Sequence, residues 1–102
     1  MFLAGCESSA GRIRNRAISE FEVGHLDQAS QLLLQIYQKH PKDAQTLYYL
    51  GRTSQAQGAY EKAIYYYQAS LDSDPSLADA RSRLGEVQKA AGLAGENLIF
   101  IP

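Results

Sequence analysis

The stretch LYYLGRTSQAQGAYEKAIYYYQASLDSDP, residues 47–75, decides the fold. It contains two helix-length segments, divided at Gly58 and closed at Pro75. In residues 60–71, Tyr60, Ala63, Ile64, Tyr67 and Leu71 fall on one stripe at helical spacing. Residues 44–57 carry Leu47, Leu50, Gly51 and Ser54 in the same way. Glycine suits the position after a helix, where the left-handed conformation costs it nothing. Proline cannot continue a helix and disfavours helix at the residue before it. The stretch therefore reads as helix, glycine turn, helix, proline stop.

The same pattern recurs on both sides of it. Gly24, Gly58 and Gly92 are 34 residues apart, as are Ala17, Gly51 and Gly85. Ala29 returns as Ala63, Pro41 as Pro75 and Leu50 as Leu84, and Asp27 becomes Glu61. Small residues at 17/51/85 and at 29/63 are expected to let antiparallel helices approach closely. On the N-terminal side, Leu26, Ala29, Leu33 and Ile36 form another apolar stripe, widened by Leu32 and Tyr37. The spacing predicts five helices, at about 10–23, 26–39, 44–57, 60–73 and 78–91. The glycines at 24, 58 and 92 are each expected just beyond a helix.

With its period of 34 residues and with Leu47, Leu50, Gly51, Tyr60, Ala63 and Pro75 where they stand, the chain resembles a tetratricopeptide repeat. Residues 44–77 are the better copy. Residues 10–43, with AISEFEVGHLDQASQLLLQIYQKHP at 17–41, are a weaker one in which Arg16 stands where a leucine is usual. ADARSRLGEVQKAAG, at 78–92, matches the first helix of a third copy. The resemblance implies an all-α solenoid of two helix pairs plus a capping helix. Asp79, Arg81, Ser82, Arg83, Glu86, Gln88 and Lys89 make much of that last helix polar, as the end of a stack requires. A longer, truncated array is the alternative explanation of the half copy.

In this family the first helix of each pair lines a concave surface. Carried over position by position, the resemblance places Arg14, Ile18 and Phe21 there from the first copy. It places Gln45, Tyr48, Arg52 and Gln55 there from the second, and Asp79, Ser82, Glu86 and Lys89 from the third. Tyr48 and Arg52 are four residues apart and share a helix face. They could hydrogen-bond a peptide backbone or hold a carboxylate. Alternatively, Arg52 simply pairs with Glu20 or Glu86. The asparagines with which some family members grip a chaperone's terminal carboxylate are missing. Arg14 and Arg83 fall at suitable positions, but Ile18 and Tyr49 replace the asparagines and Asp79 replaces a basic residue.

The implied function is binding of a protein or peptide segment in that groove, without catalysis. Self-assembly of copies through open repeat ends is the competing reading. A net charge of -1, from ten basic and eleven acidic residues, gives no basic face for nucleic acid. No cofactor and no metal site is expected: His25 and His40 read as exposed turn residues, far in sequence from the one cysteine. The glycines are spaced by whole repeats and form no phosphate-cradling loop, and no serine sits in a glycine-flanked elbow. Of Tyr65, Tyr66 and Tyr67, the last fits the core stripe, and Tyr65 or Tyr66 is expected on the outer or inter-repeat surface, either packing between helices or as a second binding patch.

Two segments flank the repeats. In residues 1–9, Leu3-Ala4-Gly5-Cys6 resembles a bacterial lipobox, which would place a lipid on Cys6. The basic and long apolar regions of a secretory signal do not precede it. The resemblance implies a lipoprotein on the periplasmic side of the outer membrane, with membrane contact only through that lipid. A cytoplasmic protein is the alternative. Residues 93–102 end in a short apolar run, Leu98 to Ile101.

Overall fold

The computed structural model describes residues 9–94. Five helices follow one another: α1, Ser9–Glu22; α2, Leu26–Lys39; α3, Ala44–Ala56; α4, Tyr60–Ser73; and α5, Ala78–Ala94. Four of them lie within a residue of the sequence-predicted bounds at both ends. The first starts one residue earlier and also ends one earlier, and the last runs three residues further.

The two hairpin turns are built alike. Gly24 has φ 89° and Gly58 φ 78°, the left-handed region that glycine enters without steric cost. The backbone N–H of His25 donates to the Glu20 carbonyl at 2.8 Å, and that of Ala59 donates to Ser54 at 2.9 Å. These bonds reach back five residues and satisfy carbonyls that each helix end would otherwise leave open. The proline stops also match. His40 and Asp74, each preceding a proline, leave helical ψ, at 69° and 92°. Each keeps one last hydrogen bond to the helix it ends, through Ile36 and Ser70.

Helices adjacent in sequence are adjacent in space, and α1 also touches α3. Two core clusters result. Ala17, Leu33 and Leu50 join α1, α2 and α3, flanked by Leu32, Tyr37, Tyr49 and Tyr66. Ala63, Tyr67, Ala80 and Val87 join α4 to α5, flanked by Tyr48, Tyr60, Ile64, Leu71, Leu77 and Leu84. Leu33, Ile36, Leu47, Leu50 and Tyr67 are all buried, as their periodicity predicts. Buried hydroxyls are paired: Ser70 donates to the Ala44 carbonyl and Thr53 to the Tyr49 carbonyl, at 2.9 and 2.8 Å. Arg16 stands at the repeat position of buried Leu50. Its side chain is 73% exposed and faces no preceding helix among the described residues, so a cation is tolerated there.

Two expectations about glycine are corrected. Gly92 does not follow a helix but lies inside α5, which continues to Ala94. Gly85 does not mediate a close approach, since a Cβ there would have nothing within 4 Å. Gly51, one period earlier, is where the approach occurs. No helix packs on the Gly85 side of α5 among the described residues. Gly85→Ala should therefore raise stability by about 1 kcal/mol, the helix-propensity difference between the two residues. Chemical denaturation measures it, and a loss of stability would show that the face of Gly85 is covered.

Candidate functional groove

Three side-chain bridges set the inner helices α1, α3 and α5 side by side. At one end Asp43 caps α3, accepting from the Thr46 backbone N–H at 3.3 Å. The same carboxylate accepts from the Thr46 hydroxyl and from Arg14 of α1, the latter at 2.7 Å. In the middle the Arg52 guanidinium of α3 lies 4.9 Å from the centre of the Phe21 ring of α1. On the far side Arg83 of α5 donates through Nε to the Tyr48 hydroxyl at 3.2 Å.

The residues expected in the groove separate into three groups. Phe21, Tyr48 and Arg52 come together, with Tyr49 as a further wall. The Arg52 guanidinium is 5.9 and 5.8 Å from the Tyr48 and Tyr49 ring centres. Tyr48 also packs edge-on to Tyr49 and tilted against Tyr67, at 5.1 and 6.0 Å between centroids. Gln55 lies behind this cluster and accepts the Tyr67 hydroxyl at 2.7 Å. Arg14 is drawn away from the groove by Asp43, so its charge is already used in holding α1 to the start of α3. That pairing removes a further cation from any terminal-carboxylate clamp. Ile18 is partly buried, while Gln45, Asp79, Ser82, Glu86 and Lys89 are exposed.

Pairing of Arg52 with Glu20 or Glu86 is not what forms. Glu20 accepts from His25 Nδ1 at 2.6 Å and faces Arg16 at 4.0 Å. Arg52 instead stacks on aromatic rings, and its Nε is buried without an acceptor. Tyr49 and Arg83 lie outside the groove row that the family resemblance implies. They are one period of 34 apart, next to that row, and the spacing is the signal in the sequence that joins them to it. His25 and His40 are exposed, as expected. Among the described residues no cluster of His, Cys, Asp and Glu could hold a metal. Also among them, no helix is long and apolar enough to cross a membrane. Cys6 and the apolar run from Leu98 to Ile101 lie outside the described residues.

Tyr67 closes the floor of the cluster. Burial pushes its phenol well above the ordinary tyrosine range, with Tyr48 and Glu86 adding to the rise and Arg83 and Arg52 opposing it. A raised acid pKa means that the folded state favours the neutral phenol. That contribution is complete below the unfolded value of about pH 10 and is lost as pH rises past it. Tyr67→Phe should cost about 1 kcal/mol at pH 7, where the bond to Gln55 is lost. The gap to wild type should narrow above about pH 10, because only the wild type gains a proton-releasing group on unfolding. Urea denaturation of both proteins at neutral and alkaline pH tests this. A gap that widens with pH would contradict it.

Elsewhere, Tyr37, Tyr66 and Tyr65 form an edge-to-face ladder across α2 and α4, with centroids 6.1 and 5.4 Å apart. Tyr65 is 58% exposed, while Tyr66 is partly buried between the helices. A hollow of about 800 Å³ lies between the start of α1 and the α2–α3 turn, lined by Arg14, Lys39, His40, Lys42 and Asp43 among others.

Antiparallel hairpins stacked with one helix of each pair on an inner face define an α-solenoid, a class built for extended recognition surfaces. The sequence model of the tetratricopeptide repeat matches residues 14–78, more than half of the chain, and the chain belongs to that family. Members of the family are generally protein-interaction modules and are typically non-catalytic. No curated protein sequence matches the chain.

Proposed function

We propose that the chain is a non-catalytic module that binds an extended or helical segment of a partner protein along α1, α3 and α5. The observation that carries this reading is the convergence of Phe21, Tyr48, Tyr49 and Arg52 from two repeats on the inner face. Aromatic rings and arginine are the side chains that dominate binding energy at protein interfaces. Gln45 of α3 and Ser82, Glu86 and Lys89 of α5 are exposed polar residues on the same row of helices. Position-resolved photo-crosslinking in the organism of origin tests the reading. A photoreactive residue at Gln45 or Ser82 should capture a partner that the same residue at Tyr65, on the outer face, does not. Capture only from Tyr65 would move the site to the other side of the molecule.

We place the module at a bacterial cell envelope, as an adaptor or assembly factor tethered through lipid on Cys6. The support is the Leu3-Ala4-Gly5-Cys6 tetrapeptide. Mass spectrometry of the native protein is the test, and Cys6 without diacylglycerol would end this part of the proposal.

A second reading, assembly of copies end to end, is favoured by one observation. The outer side of α5 keeps a glycine, Gly85, with no helix against it. Light scattering over a wide concentration range decides, because a monomer throughout removes self-assembly.

A further inference from the structure

Among the described residues Arg52 is a cation with no anion at contact distance. Its guanidinium rests on Phe21, Tyr48 and Tyr49, and Nε is shut off from solvent without a hydrogen-bond acceptor. Among the described residues, Arg14, Arg16 and His25 form ion pairs with Asp43 and Glu20, and neither Arg52 nor Arg83 takes part in them. Arg83 approaches from α5 and spends Nε on the Tyr48 hydroxyl. Both arginines lie near Tyr67, as does one carboxylate, that of Glu86, which is exposed and engages neither arginine in an ion pair. At the centre of the groove Arg83 feels Glu86 without an ion pair, and Arg52 has no carboxylate within ion-pair reach among the described residues.

An arginine stacked on rings has already lost most of its rotational freedom. Its planar donors are then set for a carboxylate, which accepts two parallel N–H bonds. The rings also shield the pair from water, and a weakly hydrated guanidinium tolerates that better than an ammonium would. Ile18 and Tyr49 stand where a pair of side-chain amides would be needed to close around a chain terminus. An acidic side chain within a passing segment meets no such requirement.

We propose that the groove selects partner segments carrying an aspartate or glutamate side chain, which docks on Arg52 with Arg83 beside it. This rests on the groove reading above. Phe21 and Tyr48 position the guanidinium, and the carboxylate supplies the anion that no described residue places against Arg52.

The test uses the full chain and a displayed library of random dodecapeptides. Enriched peptides should share one acidic position. Changing that residue to its amide, Glu to Gln or Asp to Asn, should weaken binding to wild type about tenfold or more. The same change should matter little against Arg52→Lys, which keeps the charge but loses the fork. Circular dichroism and melting confirm that Arg52→Lys is folded. Enriched peptides without a shared acid would overturn the proposal, as would an equal amide penalty in both proteins. If those peptides still lose affinity for Phe21→Ala, the groove reading survives without the carboxylate. If no peptide binds, or binding ignores both Phe21→Ala and Arg52→Lys, the groove reading falls as well.

Discussion

Gly51→Val is expected to lower the unfolding free energy by about 3 kcal/mol, the upper end for forcing extra methyls into a packed interior. The reason is a single contact. A Cβ at residue 51 would stand 2.6 Å from Tyr67 Cε1 and 2.7 Å from Cδ1, closer than real Cβ atoms come. The ring cannot yield cheaply. Tyr67 is 0% exposed, and its hydroxyl is bonded to Gln55. Relief therefore requires α3 and α4 to separate, which weakens the hairpin at the centre of the molecule. For a domain of this length the loss corresponds to a fall in Tm of about 12 °C or more. Gly51→Ala should cost less, since alanine regains about 1 kcal/mol of helix propensity. Thermal and urea unfolding measure both, and wild-type stability in the valine variant would contradict the packing described.

Tyr67→Ala should cost about 3–5 kcal/mol, the range for truncating a large buried aromatic. Tyr67 is the largest fully buried side chain and contributes to the core cluster between α4 and α5. Its loss opens a cavity and leaves Gln55 without its donor. Since small domains rarely exceed about 5–15 kcal/mol in total, the variant should be largely unfolded well below the wild-type Tm. The two substitutions should not add. In the double variant the valine at 51 enters the space the ring vacated, so the combined loss should fall short of the sum by at least about 1 kcal/mol. A simple sum would mean that residues 51 and 67 do not meet.

Most of the fold is legible in the sequence because its marks are local. Gly24 and Gly58 lie one period apart and make the same turn, and Pro41 and Pro75 force the residue before each out of the helix. The alternation of small and large residues that seats Tyr67 on Gly51 is also a matter of spacing. What escaped was whatever depends on the far partner. Gly85 and Gly92 have the same residue type as Gly51 and Gly58, but among the described residues no helix packs against Gly85, and α5 runs through both. Residue type gives room for a contact or a turn, and only the neighbouring element decides whether either forms.

The groove was legible in part for the same reason. A helix face follows from spacing, so Tyr48 and Arg52 could be placed together, and the family resemblance added Phe21 to the same groove. Side-chain pairing does not follow from spacing. Arg14 lies 29 residues from Asp43, and their ion pair becomes visible only once Asp43 is fixed as the cap of α3. Glu20 was a plausible partner for Arg52 until His25, held close by the Gly24 turn, engaged it. Arg52 was left to the aromatic rings, and its unbalanced charge is the feature from which a ligand class could be drawn.

The most direct test is to map the captured partner onto the isotopically labelled full chain by amide chemical shifts. The segment identified by crosslinking would be titrated as a peptide. Saturable shifts should concentrate on the inner faces of α1, α3 and α5, around Phe21, Tyr48, Arg52 and Ser82. Shifts concentrated instead on the outer faces of α2 and α4, around Leu34, Tyr65 and Tyr66, would contradict the assignment of the groove.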